Sequence, residues 1–174
     1  MTLLNRPFTQ LCLKGLLGGL VLFSAPYLAP TAAIAQTEAE ETSLRPAITN
    51  ENDLTFVNTL VKSTLIALNQ ANLTADYSVL RSLGSVGFQE NNTEADLFLA
   101  FQPIREFGVD FGGIVEFAPI FSVQPTLDAQ NNLRVVGYFE TSPIIEFDVR
   151  YQLVNGSFVN DGLTVGIRPV ETEE

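Results

Sequence analysis

Histidine is missing from this chain altogether, and cysteine occurs once, at Cys12. Those shortages remove whole chemistries. Zinc sites of the usual nitrogen and sulfur type need several such ligands, and Ser-His-Asp or Cys-His nucleophile systems need a histidine as base. Basic residues are scarce as well: 9 Lys and Arg stand against 20 Asp and Glu, a net charge of −11. A chain so acidic repels phosphate, which argues against nucleic acid and anionic membrane surfaces as partners. Tyr77, Tyr138 and Tyr151 make no nucleic-acid stacking platform, because no basic groove accompanies them. No motif calls for a metal or a cofactor.

Long hydrophobic runs are also lacking. The apolar stretch at residues 15–23 is shorter than the about 20 residues that span a bilayer. It follows Arg6 and Lys14 and precedes Pro26, Pro30 and the small-residue pattern Ala33, Ile34, Ala35. That is the tripartite layout of a secretory signal at residues 1–35, with cleavage expected after Ala35. Cys12 lies before the apolar run, which is the wrong side for a lipoprotein attachment. Cleavage would take Arg6, Lys14, Cys12 and no acid, leaving 139 residues with 7 basic and 20 acidic side chains, a net charge of −13. No disulfide could form, so the core alone must hold the fold, and one domain of this length suffices. The expected product is periplasmic or secreted, with no stable membrane insertion.

Residues 36–52 are rich in Glu, Thr, Pro and Ala and read as a disordered leader; residues 171–174 form an acidic tail. The folded domain is expected over 53–170. A helix is predicted from Asn52 or Asp53, either of which can cap it, to about Asn69. Leu54, Val57, Val61, Leu65 and Leu68 recur along one face, broadened by Phe56, Leu60 and Ala67. A shorter helix is expected at 75–83, stopped by Gly84. The connection at 85–92 admits a short strand at 86–88. Thr93, Glu94 and Asp96 open a third helix that Pro103 should kink or restart and Gly108 ends.

Four strand-like runs follow, at 114–124, 133–141, 144–154 and 157–169, with turn chemistry between them. The links are too short for crossover helices, so the product is an antiparallel meander. Helices first and strands last define an α+β domain. Alternation sets Ile145, Phe147, Val149, Tyr151 and Leu153 on one face, with Leu133, Val135, Gly137 and Phe139, and with Val115, Phe117, Phe121 and Val123. On the opposite face Ile114, Ala118, Ile120, Val136 and Tyr138 are more apolar than a wetted surface needs, which nominates them as an interface with a partner or a second copy. Asp161 and Gly162 predict a bulge that bends the sheet into a cone.

The stretches 71–84 and 127–133, with Gly137, Tyr138 and Phe139, resemble an uncharacterised group of bacterial exported proteins with a nuclear-transport-factor-2-like (cystatin-like) cone fold. The resemblance covers residues 53–169 and is weak for function. It implies a curved four-stranded sheet and helices around a pocket, an enzyme site in some members and a binding or assembly surface in others. On that reading Phe117, Phe121, Phe139, Phe147 and Tyr151 line the pocket.

Three polar groupings stand out. Asp76 and Tyr77 supply a base and a hydrogen-bond donor at a pocket mouth, or else cap and pack the second helix. Glu146, Asp148 and Arg150 project from one strand face, where two carboxylates would share a proton or cation; a solvated outer face explains them better. Asp128, Gln130, Asn131 and Asn132 gather oxygens in one loop that lacks the acid count of a calcium site and suits a turn. The expectation is a non-catalytic extracytoplasmic module binding an apolar small molecule in the cone or a protein on the sheet face. The alternative is a pocket enzyme of isomerase or cyclase type using a carboxylate and a tyrosine.

Overall fold

The computed structural model describes residues 43–169. The expected signal segment, the start of the leader and the acidic tail lie outside them. The helices lie together ahead of four of the strands, so the architecture is α+β, as the sequence predicts. The sheet has five antiparallel strands in the order β1-β2-β3-β4-β5 rather than four. They are β1 (Arg45–Pro46), β2 (Ile120–Leu127), β3 (Leu133–Phe139), β4 (Ile144–Val154) and β5 (Ser157–Arg168). The added strand falls in the expected leader. Arg45 pairs with Leu127 and Pro46 with Thr126, and the Ala47 N–H donates to the Pro125 carbonyl at 2.8 Å.

The first helix, α1 (Glu51–Thr74), begins at Asn50, whose side chain accepts from the N–H groups of Asn52 and Asp53 at 2.9 and 3.0 Å. Glu51 and Asp53 then place negative charge at the positive end of the helix dipole. Val57, Val61, Leu65 and Leu68 form its buried stripe. Each such side chain contributes about 1.5–3 kcal/mol when fully buried. Phe56 and Leu54 are exposed, so the stripe is narrower than the sequence suggests. The helix runs past Asn69 because that side chain has tertiary partners. Its Nδ2 donates to Asp110 Oδ1 at 2.7 Å and its Oδ1 accepts from the Phe111 N–H at 3.1 Å.

Four short helices follow: α2 (Ser78–Ser82), α3 (Val86–Asn91), α4 (Glu94–Ala100) and α5 (Gln102–Phe107). The strand suggested at 86–88 is helical instead. Ser85 caps α3 by accepting from the Phe88 N–H at 2.9 Å, a local choice that Val86 does not oppose because it is solvent-exposed. The expected restart at Pro103 is present, Thr93 and Asp96 form a capping box, and Gly108 ends α5 in the left-handed region at φ 65°.

Residues 114–116 are not strand. They belong to a 3-10 helix (Gly112–Glu116) that drops Ile114 into the core. The cause is Asp110, whose Oδ1 accepts from the Gly112 N–H at 2.8 Å and turns the chain before a strand can start. Val115 and Phe117 are consequently exposed, and so is Val123 in β2, against the expected inward set.

The rest of the sheet follows the alternation. Leu133, Val135, Phe139, Ile145, Phe147, Val149 and Tyr151 are buried against α1 and its neighbours. Leu153 is exposed. A Cβ at Gly137 would sit on the Ile120 carbonyl oxygen, so the approach of β2 requires glycine there. Asn155 and Gly156 both take positive φ, 51° and 81°, and make the two-residue turn between β4 and β5. The expected bulge is at Asp161, between the pairs Arg150–Gly162 and Tyr151–Asn160. Two further register shifts lie in β2, on either side of Val123. No helix among the described residues is long and apolar enough to cross a membrane.

Candidate functional site

Asp76 and Tyr77 diverge. Asp76 is exposed, and its Oδ1 accepts from the Ser78 N–H at 2.9 Å, closing a local turn at the start of α2. The hydrogen bonds from Ser78 hold its carboxyl below the usual range. Tyr77 is buried with its ring stacked on Phe101 at 6.2 Å and edge-on to Phe98. Its hydroxyl donates to Asn72 Oδ1 and accepts from Arg105 Nη1 at 2.6 Å. The Arg105 guanidinium also lies 3.8 Å from the Phe98 ring centre, a cation–π contact. Burial pushes the Tyr77 phenol up, with Arg105 opposing. Asp76 thus serves a local turn while Tyr77 packs, and α2 has no side-chain cap.

The five aromatic pocket candidates do not share a pocket. Phe139 and Phe147 pack against each other at 5.5 Å inside the core. Phe121 is half-buried, while Phe117 is exposed and lines a cleft of about 250 Å³ with Phe111, Ile114 and Pro143. Tyr151 is buried, and its hydroxyl meets Thr64 Oγ1 at 2.9 Å and the Leu60 carbonyl at 3.2 Å. Burial raises its phenol well above the ordinary value. It borders a separate cavity between α1, α2 and the β4–β5 pair.

The loop oxygens serve the turn. Asp128 Oδ1 accepts from the N–H groups of Gln130 and Asn132 at 2.9 and 2.8 Å, and Oδ2 accepts from Asn132 Nδ2 at 2.9 Å. Asn131 takes positive φ and its Oδ1 accepts from Arg45 Nη2, tying the loop to β1.

The outer sheet face brings together most of the interface candidates. Ile120 pairs with Tyr138, Tyr138 with Glu146, and Glu146 with Gly166; beside that row Val123, Val136, Asp148 and Thr164 form the next. Ala118 precedes β2 and is exposed, whereas Ile114 leaves the group because it is buried. Glu146 and Asp148 do not share a proton or cation with each other. Asp148 is gripped by Arg134, Nε to Oδ1 at 3.1 Å and Nη2 to Oδ2 at 2.7 Å, while Glu146 accepts from Arg168 Nε at 2.8 Å. The hydrogen bond from Arg134 holds the Asp148 carboxyl below its usual range, against partial desolvation.

Two features of this face go beyond the sequence-level candidates. Arg134 faces Arg150 directly across the β3–β4 pair, so two like charges are adjacent, and among the described residues only Arg134 has a carboxylate in its grip. On β5 the positions facing Arg150 and Glu146 are Gly162 and Gly166. At Gly166, where no side chain projects, the face holds a shallow groove of about 320 Å³ bordered by Ser122, Val136, Tyr138, Asp148 and Thr164. Thr164 and Gly166, outward-facing neighbours on β5, were the signal for it. Comparison of the chain with protein-family models, curated proteins and solved structures finds no match.

Proposed function

We propose that this protein is a non-catalytic extracytoplasmic binding module of the nuclear-transport-factor-2-like cone type, and that its working surface is the outer sheet face. The occupant is a protein segment with an apolar centre and acidic flanks. The observation that carries this reading is the charge on that face. Arg134, Arg150 and Arg168 project from it against Glu146 and Asp148, a local excess of positive charge on a chain whose net charge is −11. Exposed Ile120 and half-buried Val136 and Tyr138 lie beside them as the apolar centre. Aromatic and arginine side chains are the types that carry binding energy at interfaces.

The carboxylates favour binding over the enzyme alternative. Among the described residues each carboxyl with a displaced pKa, Asp53, Asp76, Asp96, Asp110, Asp128 and Asp148, is displaced downward by local hydrogen bonds. A general base in a pocket needs the opposite shift. The test is Tyr138→Glu in the producing cell, followed by affinity isolation and sizing. The variant should lose its co-isolated protein while keeping its thermal midpoint. An unchanged set of co-isolated proteins and an unchanged mass would remove the reading, and a loss of mass equal to one chain would show the occupant to be a second copy.

A further inference from the structure

The two sides of the sheet end differently. On one side β1 covers only Thr126 and Leu127 of β2, and the rest of β2 carries register shifts on either side of Val123, with Pro119 just before it and Pro125 within it. Prolines and bulges are what keep an edge from pairing with another chain. On the other side β5 is the outermost strand. Between its bulge at Asp161 and Pro169, residues 163–168 include no proline, no lysine and no acid.

The start of this edge is already in use. The Asn160 N–H donates to the Leu83 carbonyl at 3.3 Å, and its carbonyl accepts from the Ser85 N–H at 2.7 Å, a short parallel bridge from the helical side. Asn160 thus turns its backbone away from β4. The register of β4 with β3 is unbroken from Tyr151 to Ile145, so alternation turns the N–H and carbonyl groups of Leu163, Val165 and Ile167 away from β4 as well. No second strand pairs with them among the described residues. Their side chains are incompletely covered too. Val149, Phe147 and Ile145, their register partners on β4, are at most 3 % exposed, whereas Leu163, Val165 and Ile167 are half-buried.

We propose that this edge takes a second copy of the chain, β5 against β5 in antiparallel pairing about a two-fold axis at Val165. In that register Val165 faces its own copy and Leu163 faces Ile167 in both directions. Each of these pairs exchanges two hydrogen bonds through groups that already point outward. The same pairs set aliphatic side chains against each other on the core side, covering what β5 leaves bare. On the outer face Thr164 meets Gly166. The strip is therefore self-complementary, as a two-fold contact must be. Charge favours it as well, because two chains of net charge −11 repel and here no carboxylate meets another. At each end Arg168, held by Glu146 of its own chain at 2.8 Å, falls opposite Gly162, which has exposed Asp161 before it and Arg150 facing it. A strip this short buries far less than the about 1,600 Å² of a standard interface, so half-association is expected between about 10 and 100 μM. The contact does not use Tyr138 and is independent of the sheet-face reading.

Amide hydrogen exchange of the full chain, followed by NMR at dilute and at millimolar concentration, tests the pairing. The amides of Leu163, Val165 and Ile167 should gain about threefold protection or more at the higher concentration, while those of Thr164 and Gly166, which face β4, stay unchanged. Val165→Cys in a Cys12→Ser chain should form a disulfide-linked dimer on mild oxidation, because paired Cα atoms about 5.5 Å apart suit that bond. Thr164→Cys, which faces Gly166 rather than itself, should not. Val165→Pro removes only an outward N–H, so it should stay folded and abolish the concentration dependence. If it unfolds, the exchange and the two cysteine variants still decide the question. Tyr138→Glu should leave all these results unchanged, so each proposal fails by its own measurement. Protection that ignores concentration, or cross-linking at 164 as readily as at 165, would overturn the inference.

Discussion

Arg134 holds both carboxylate oxygens of Asp148 across the β3–β4 pair, yet the residue directly opposite Arg134 is Arg150. The grip is therefore diagonal. It pairs one of two adjacent guanidinium groups with the carboxylate, which also feels the charge of the other, Arg150. Both side chains of the pair are partly exposed, 60 % for Arg134 and 31 % for Asp148, so solvent screens it and it stabilises the fold by no more than about 1 kcal/mol.

That pair sets a pH dependence. The folded Asp148 carboxyl lies below its ordinary value because Arg134 favours the charged form. Its stabilisation is fully present above the unfolded carboxyl value of about 3.9 and is lost as pH falls through the folded one. Asp148→Asn should cost up to about 1 kcal/mol in urea denaturation at neutral pH. As pH falls through the folded value the cost should vanish. A penalty that grows on acidification would mean that Arg134 is not the cause.

Asn69 anchors the connection that replaces the expected start of the first long strand. Asn69→Ala leaves the buried Phe111 N–H without an acceptor, for a loss of about 1–3 kcal/mol in thermal or denaturant unfolding. Asp110→Asn should cost less, since Asp110 is exposed and its amide can still accept from Gly112.

Leu54 and Leu65 look alike in the sequence but not in the structure. Leu65 is fully buried, and Leu65→Ala should cost about 2–5 kcal/mol. Leu54 is exposed at the start of α1, and Leu54→Ala should stay within about 0.5 kcal/mol. Comparable losses at the two positions would place a different face of α1 against the sheet.

Where structure is decided by neighbours in sequence, it was legible. Thr93 with Asp96, Pro103, Gly108, and Asp161 with Gly162 each act within a turn or two, and each does in the structure what its chemistry predicts. The alternation of Ile145, Phe147, Val149 and Tyr151 was likewise enough to assign a buried face. Illegibility begins where a distant partner decides. Val115 and Phe117 alternate like a strand, but Asp110 and the reach of Asn69 turn the chain first. Arg45 and Pro46 carry no hydrophobic pattern, and pairing with β2 alone makes them a strand. At the candidate site, strand parity placed Ile120, Val136 and Tyr138 correctly on one face, whereas Ile114 was lost to the core through the same upstream turn.

The most direct measurement on the proposed working surface uses a photoactivatable cross-linking residue at position 138, in place of Tyr138, with the exposed Glu90 of α3 as the control position. Irradiation in the producing cell should yield a discrete adduct at 138, none at 90, and an acidic segment in the captured protein. Equal or absent adducts at the two positions would contradict a docking role for the outer sheet face.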